Sequence, residues 1–317
     1  MKKLIPSFIL ESYENENSGG AFAAAVLFVD ISGFTPMTQT LMENGKEGAE
    51  ILSEIINRVF TPAIEAVYQN QGFVAVFGGD AFHAIFPKNE NETLLALNAA
   101  LQIKQAFEKI GLQKTRFGEF CLSVKAGVSF GDVEWGIIEN ERQNAYYFRG
   151  AAIDASAGCE KHCETGQVVF DDSVWNQIEA EKLQAKAIQK GFYGVDSISE
   201  TASTEPIPIA EKEWDESRFV PESVLNLHES GEFRDVVSCF ISFDNKADFS
   251  AYVSKVIHEI HAFGGYFNRI SFGDKGGFLL VFFGAPSSNE KMCVRACDFA
   301  TRIRKMNDDG FKNRIGM

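Results

Sequence analysis

The sequence predicts an α+β protein made of two copies of one unit, the second copy incomplete. Strand-like and helix-like stretches follow one another in the order βαββαβ between residues 23 and 129, and the same order starts again near residue 235. This order gives an antiparallel-containing sheet with its helices on one side. With 45% hydrophobic residues and 29 phenylalanines in 317 residues, the chain has enough apolar side chains for two cores.

The first copy is predicted over residues 22–196, after an N-terminal segment of residues 1–21. The helix after its first strand carries a stripe of apolar side chains at helical spacing, which are Ala49, Leu52, Ile55, Ile56, Val59 and Phe60. The predicted elements are a strand over 23–29, a helix over 45–70, a hairpin over 73–86, a helix over 92–110, a strand over 120–129, a strand over 146–149, a helix over 151–163, and strands over 167–170 and 191–195.

Residues 197–232 are predicted to form a linker, because the stretch up to residue 221 is rich in Glu, Ser, Thr and Pro. Residues 233–317 repeat the first pattern, and Gly72 at the entry to the first hairpin has a counterpart in Gly265. The repeated elements are a strand over 235–243, a helix over 247–263, a hairpin over 264–283 and a helix over 289–305. The chain then stops inside the next predicted strand. We therefore expect a truncated second copy in a piece of a longer protein, with further C-terminal domains missing.

Composition and charge argue against several classes of partner. The net charge of −14 leaves no clustered basic face for nucleic acid phosphates, so we expect no nucleic acid partner. The apolar stretch at residues 1–10 is short and broken by Pro6, which is unsuitable for a signal peptide or an integral membrane segment. The six cysteines show no secreted-domain spacing. These features predict a cytoplasmic protein with reduced thiols.

Two aspartates stand out as candidate metal ligands. Asp30 follows the apolar strand 23–29 and precedes the turn Ser32-Gly33-Phe34-Thr35. Asp80 follows two glycines in a strand-like stretch, and those glycines predict a hairpin that returns Asp80 towards Asp30. Two carboxylates on adjacent strands can hold two hard cations. Taken singly, Asp30 could instead be a helix N-cap or turn residue, and Asp80 a hairpin residue.

The motif DISGFT at residues 30–35, followed about fifty residues later by GGDAF at residues 78–82, resembles the catalytic region of class III nucleotidyl cyclases. The tandem-domain soluble adenylyl cyclases are the most similar type, and the resemblance extends from residue 23 over nearly the whole chain. It implies the ferredoxin-like βαββαβ nucleotidyl cyclase fold, with the two tandem copies paired as a pseudo-dimer. It also implies that the nucleotide lies between the two copies.

The resemblance further implies an adenylate cyclase that converts ATP to 3',5'-cyclic AMP and pyrophosphate by two-metal-ion catalysis in intracellular signalling. Two Mg²⁺ ions, which Mn²⁺ can replace, would be held by Asp30, Asp80 and the Ile31 carbonyl, and the two aspartates would be the catalytic residues. The nucleotide-binding residues implied are Ile31, Ser32, Gly33, Phe34, Thr35, Gly79, Lys125 and Arg269. Lys125 would contact the triphosphate, although as an edge-strand lysine it could equally face water. Arg269 would contact the purine, favouring adenine over guanine.

Departures from the family pattern divide the expected site between the two copies. Asp154 and Gly158 replace the family's ribose-orienting Asn and transition-state Arg, so the second domain should supply those groups. Ser242 stands where the first copy has Asp30, so the second copy lacks that metal ligand. Residues 1–317 alone are therefore expected to be weakly active or inactive.

Two other functions remain open on the sequence. A catalytically silent nucleotide-binding regulatory module agrees with the degenerate Asp154 and Gly158. A diguanylate cyclase-like domain is possible because residues 78–82 resemble a GGDEF signature, but Ala81 replaces its acidic residue and the DISGFT turn fits that family poorly.

Overall fold

The computed structural model describes residues 4–199, 213–227, 233–243, 249–273, 276–288, 290–306 and 312–317. The elements of the first unit are, in chain order, α1 (Ser7–Glu14), β1 (Gly19–Ser32), α2 (Phe34–Met42), α3 (Gly45–Gln69), β2 (Phe73–Phe77), β3 (Ala81–Pro87), α4 (Glu92–Ile110), β4 (Leu112–Thr115), β5 (Gly118–Cys121), β6 (Ser123–Ile138), β7 (Ala145–Arg149), α5 (Ala151–Glu160), β8 (Val168–Asp171), α6 (Asp172–Trp175), a 3₁₀ turn (Ala180–Lys182), β9 (Leu183–Gln189) and β10 (Phe192–Ile198).

The main sheet of the first unit has the strand order β2-β3-β1-β6-β8-β10-β9, and β7 pairs with the far end of β6. All pairs are antiparallel except β6 with β8. Alternate residues of β1 face opposite cores: Leu27 and Val29 pack with the apolar sides of α3 and α4, whereas Val26 packs with Ile153 of α5. Since Asp30 shares the parity of Val26, it lies on the α5 side of the sheet.

The second unit repeats the centre of the first. Its described elements are α7 (Glu222–Leu225) before the sheet, then β11 (Val237–Phe243), α8 (Phe249–Ala262), β12 (Tyr266–Gly273), β13 (Gly276–Phe283), α9 (Met292–Lys305) and β14 (Asn313–Gly316). The sheet order is β12-β13-β11-β14, and α8 and α9 pack on one face. Strand β14 pairs with β11 as β6 pairs with β1.

An arm formed by the end of β6, the turn after it, and β7 joins the two units. Ile138 and Ala145 of this arm belong to the apolar core of the second unit. The Tyr147 ring lies 5.0 Å from the Phe249 ring, and the Asn140 side-chain amide donates to the Ser254 carbonyl at 2.9 Å. The arm therefore fixes the second sheet against the first unit.

The predicted elements occur in the predicted order within a mixed α+β fold, but the strand predicted over 120–129 is divided at Leu122 between β5 and β6. Helices α1, α2 and α6 and strand β4 were not predicted. Strands β1 and β6 are longer than predicted because their far ends pair with each other. Edge strand β9 was not predicted because the apolar positions that alternate after Leu183 are Ala185 and Ala187, and alanine has a low strand propensity. Residues 200–212 and 228–232 of the predicted linker, residues 247 and 248 of one predicted helix, and residue 289 of another lie outside the described residues.

The described part of the linker is packed, not extended. Phe219 and Val220 are buried with Ile9 of α1, and one Glu216 carboxylate oxygen accepts from the backbone N–H groups of Leu4 and Ile5 at 2.8 Å each. In the described ranges, no helix has the length and apolar character needed to cross a bilayer. All six cysteines, which lie within those ranges, are free thiols.

Candidate active site

Asp30 and Asp80 lie side by side at one end of the first sheet. Asp30 is opposite Ala81 of β3 in the strand register, and the Ile31 backbone N–H donates to the Asp80 carbonyl at 3.2 Å. The loop between β2 and β3 consists of Gly78, Gly79 and Asp80, and Gly79 has φ +80°, a conformation that favours glycine. The hairpin thus returns Asp80 to the end of β1, as its sequence predicts.

Negative charge accumulates at Asp30. Burial raises the pKa of its carboxyl group most, the carboxylates of Glu160 and Asp80 raise it further, and the Lys125 ammonium lowers it. Glu160 was not predicted from the sequence. Glu160 lies near Asp30 because α5 packs across β1 and β6, and no local sequence pattern predicts that packing.

The donor atoms at this site suit hard divalent cations. Two carboxylates and the Ile31 carbonyl offer only oxygen, which Mg²⁺ and Mn²⁺ prefer, and a bound cation would offset the repulsion that raises the pKa of Asp30. Among the described residues, no group of three or more His, Cys, Asp and Glu side chains is placed to bind a metal by itself. A metal here would therefore need further oxygen ligands from water or substrate.

A tight turn links β1 to α2 next to Asp30. Gly33 occupies the N-cap position of α2 with φ +88°, so the first turn of this helix receives no bond from a capping side chain. A Cβ atom at Gly33 would overlap the Cys121 carbonyl oxygen. Phe34 anchors the turn by packing against the apolar core, whereas Thr35 is exposed. The exposed amides at the start of α2 suit an anion.

Lys125 lies on β6 directly opposite Asp30, in the middle of the sheet and not at an edge. Its Nζ is 3.7 Å from a Glu160 carboxylate oxygen, and the lysine side chain is only 30% exposed. The alternative of a solvent-facing edge-strand lysine is therefore wrong. The cation lies where it can reach an anion bound beside Asp30.

Arg269 lies on β12 and faces a cavity of about 510 Å³ between the two units. Burial lowers the pKa of Arg269, and its Nε has no hydrogen-bond partner among the described residues. Three more buried polar atoms without such a partner belong to residues that line the same cavity: His83 Nε2, Gln143 Oε1 and Asn144 Nδ2. Desolvation lowers the pKa of His83 to about 4, so this imidazole is neutral at pH 7.

The aspartates lie at the margin of this cavity. Gly78 and Ala81, which flank the loop that carries Asp80, line the cavity, and so does Phe28, two residues before Asp30. Neither Asp30 nor Asp80 is itself among the lining residues. Neighbours of both candidate metal ligands thus line the cavity that Arg269 faces, while the two carboxylates themselves lie outside its lining.

The positions that depart from the family pattern lie on α5. Asp154 is exposed, and a Cβ atom added at Gly158 would meet nothing within 4 Å. The first unit therefore has open space where a longer side chain could stand.

Comparison with known proteins identifies the relatives of this chain. No protein-family model matches it. Adenylate cyclase type 10 of Oryctolagus cuniculus is 25% identical over 345 aligned positions, which cover 90% of this chain. The chain is related to the class III nucleotidyl cyclases. Adenylate cyclase type 10 of Homo sapiens is 27% identical over 53% of the chain, and a terminal-differentiation-specific adenylate cyclase of Dictyostelium discoideum is 22% identical over 69%.

This cyclase homologue spans about a fifth of the length of the rabbit relative, since the alignment covers 21% of that protein. Among solved structures, the guanylyl cyclase Cya2 aligns over 60% of this chain and 100% of its own, at 19% identity and a TM-score of 0.48. The adenylyl cyclase CyaB from P. aeruginosa aligns over 58% of this chain and 98% of its own, at 17% identity and a TM-score of 0.47.

Proposed function

We propose that this chain is the paired catalytic region of an adenylate cyclase, which converts ATP to 3',5'-cyclic AMP and pyrophosphate in intracellular signalling. One observation supports the proposal: Asp30 and Asp80 are adjacent in the first unit, and residues next to both of them line the same cavity as Arg269 of the second unit. Binding of a nucleotide requires cations with oxygen ligands at its phosphate end and hydrogen-bond donors at its base, which is the opposite end of the molecule.

In this reaction the ribose 3'-oxygen attacks the α-phosphorus, the bond from that phosphorus to the bridging oxygen of pyrophosphate breaks, and the hydroxyl proton is lost. Asp30, Asp80 and the Ile31 carbonyl would hold two Mg²⁺ ions, or Mn²⁺ in their place. Such ions, when bound, make the 3'-hydroxyl more acidic and neutralise the departing pyrophosphate. Burial and the neighbouring carboxylates of Glu160 and Asp80 raise the pKa of Asp30, and a bound cation would offset that repulsion, which supports this assignment.

The remaining residues of the first unit would bind the triphosphate. Backbone amides from Ser32 to Thr35 lie at the start of α2 and would donate to phosphate oxygens, and Gly33 permits the close approach. Gly79 gives the hairpin loop the shape that returns Asp80 to the end of β1, where the phosphates would bind. Lys125 would exchange its contact with Glu160 for a phosphate oxygen.

Arg269 of the second unit would recognise the base. Its buried Nε–H has no hydrogen-bond partner among the residues that the structure describes, and it can donate to a ring nitrogen of adenine. We therefore infer a preference for ATP over GTP. The ribose-orienting and transition-state groups would come from the second domain, since Asp154 and Gly158 cannot supply them.

A silent nucleotide-binding module is the second candidate, and the same Asp154 and Gly158 favour it. One assay separates the functions: the protein is incubated with ATP or GTP and Mg²⁺ or Mn²⁺, and the product is identified by mass spectrometry. Cyclic AMP that disappears in Asp30→Ala and Asp80→Ala supports the cyclase. Cyclic di-GMP would instead support a diguanylate cyclase, and nucleotide binding without any product would support the silent module.

A further inference from the structure

Strand β12 has a bulge just before Arg269. Phe267 pairs with Val281 and Arg269 with the adjacent Leu280, so Asn268 is an extra residue in the strand. A bulge bends its strand and turns the following side chain, and it leaves part of the hydrogen-bond ladder unpaired. The direction of Arg269 therefore depends on what holds this bulge.

Gln143, in the turn between β6 and β7, holds it. The residue is only 4% exposed, and its side-chain Nε2 donates to the Phe267 carbonyl at 3.2 Å and to the Phe219 carbonyl at 2.8 Å. Both partners are carbonyls that can only accept, so the NH₂ end of the amide must face them. One buried amide thus links the first unit, the linker and the strand that carries Arg269.

The first unit has the same bulge at the matching place. Val74 pairs with Ala84 and Val76 with the adjacent His83, so Ala75 is the extra residue there. The Tyr146 hydroxyl of the same arm donates to the Ala75 carbonyl at 3.4 Å, and the Arg269 charge acts on the pKa of Tyr146, which burial raises strongly. Val76 is the counterpart of Arg269. The arm therefore supports two equivalent bulges, only one of which precedes a cation.

We propose that Gln143 is a positioning residue, which holds the β12 bulge through the Phe267 carbonyl so that Arg269 faces the base of the bound nucleotide. This inference rests on the proposed function, because it concerns the base-binding wall of the same cleft. Gln143 acts on the base through Arg269 and leaves the phosphate end, on β1 and the β2–β3 loop, unchanged.

The test compares the binding of two ligands by calorimetry with Mg²⁺ present. One is α,β-methylene ATP, whose bridge this reaction cannot break, and the other is inorganic tripolyphosphate, which has no base. Gln143→Met should weaken binding of the ATP analogue about 5- to 10-fold, the value of one to two hydrogen bonds, and change tripolyphosphate binding less than about twofold. Arg269→Met should show the same pattern.

Two further variants test whether Gln143 affects base binding through Arg269. Adding Gln143→Met to Arg269→Met should weaken binding of the ATP analogue no further. If Gln143 acts through Arg269, the losses of binding free energy in the two single variants do not add. Glu216→Ala releases the linker from the N-terminal segment without touching β12, and should leave both ligands bound as in the wild type. An additive double variant, an equal loss for tripolyphosphate, or a Glu216→Ala variant that matches Gln143→Met would each overturn the inference.

A variant of nearly identical size guards against misfolding. In Gln143→Glu an acceptor replaces the NH₂ donor, so binding of the ATP analogue, relative to wild type at the same pH, should be weak at pH 8. It should recover at pH 5.5, where a protonated carboxyl can donate again. A constant deficit at both pH values would contradict the proposed hydrogen bond.

Hydrogen exchange keeps the test independent of nucleotide binding. Amides of residues 266–273 should exchange faster in Gln143→Met than in wild type, while those of residues 123–131 keep their protection. If the wild-type protein binds neither ligand, the proposed function fails. The exchange at residues 266–273 then still decides the positioning role, since unchanged protection there overturns it.

Discussion

The two units of this protein share their packing and differ in their chemistry. Both hairpins begin at a glycine that fits under a phenylalanine ring: a Cβ atom at Gly72 would lie 2.6 Å from Phe86, and one at Gly265 would lie 2.9 Å from Phe283. The residues just before these glycines also share a positive φ, +62° at Gln71 and +73° at Gly264. Close packing and backbone conformation thus recur at matching positions of the repeat.

The differences lie where strands reach the cleft. Asp30 corresponds to Ser242, Val76 to Arg269, and His83 to Leu280, as the strand registers show. In each pair, one unit has an ionisable side chain and the other has an apolar side chain or, at Ser242, a neutral hydroxyl group. The proposed division of one site between two units therefore needs few substitutions on a shared framework. They lie at strand ends, where a changed side chain disturbs the close-packed core less.

The largest expected effect is on the rate of cyclic AMP formation, and it tests the candidate metal ligands of the first unit. Asp30→Asn should lower kcat/KM for cyclic AMP formation at least about 100-fold, because losing one carboxylate removes several kcal/mol of charge stabilisation. Ser242→Ala, at the matching position of the second unit, should change it less than about twofold. Initial rates with Mg²⁺ and ATP check both. Similar losses in the two variants would contradict the division of the site.

The next effect tests the shared packing. Gly72→Ala and Gly265→Ala should each lower the free energy of unfolding by about 1–3 kcal/mol, because the added methyl group meets a buried ring. Gly158→Ala is the control: it has open space in helix α5, and should stabilise the protein by about 0.5–1 kcal/mol. Urea denaturation measures all three. A neutral Gly265→Ala variant would show that the second unit does not share the packing.

A third expected effect is a loss of stability as the pH falls. The pKa of His83 is about 4 in the folded protein, below its ordinary value of 6.5, so the unfolded chain takes up a proton first as pH falls. Stability should therefore drop by about 2 kcal/mol between pH 7 and pH 5 from this residue alone. His83→Leu copies the second unit's Leu280 and should remove that part of the pH dependence. Urea denaturation at several pH values measures the free energy of unfolding of both proteins. An equal dependence on pH in wild type and variant would contradict this prediction.

The smallest effect compares two cations in register. Lys125 lies opposite Asp30, and Arg314 lies opposite Ser242. Lys125→Met should raise KM for ATP about tenfold through the loss of a charged hydrogen bond, whereas Arg314→Met should change KM less than about twofold. Steady-state kinetics provides the values. If the arginine variant has the larger effect, the triphosphate lies against the second unit instead.

Much of the fold was predictable because it depends on local patterns. The helix over Gly45–Gln69 follows from its apolar stripe, and the loop at Gly78 to Asp80 follows from its glycines. Edge strand β9 was missed because its alternation after Leu183 consists of alanines, which only weakly indicate a strand. The packed part of the linker was missed as well, because Phe219 and Val220 are buried by contacts with α1, more than 200 residues away in sequence.

The sequence by itself determined the repeat, the order of the elements and the candidate pair Asp30 and Asp80, since periodicity and turn chemistry are local properties. Only the tertiary structure decided that Glu160 shares the charge at Asp30, that Lys125 is central in the sheet, and that Gln143 supports the strand of Arg269. Those contacts join residues from 35 to 130 positions apart in the sequence. They arise from how strands pair and helices pack, and no short stretch of residues contains that information.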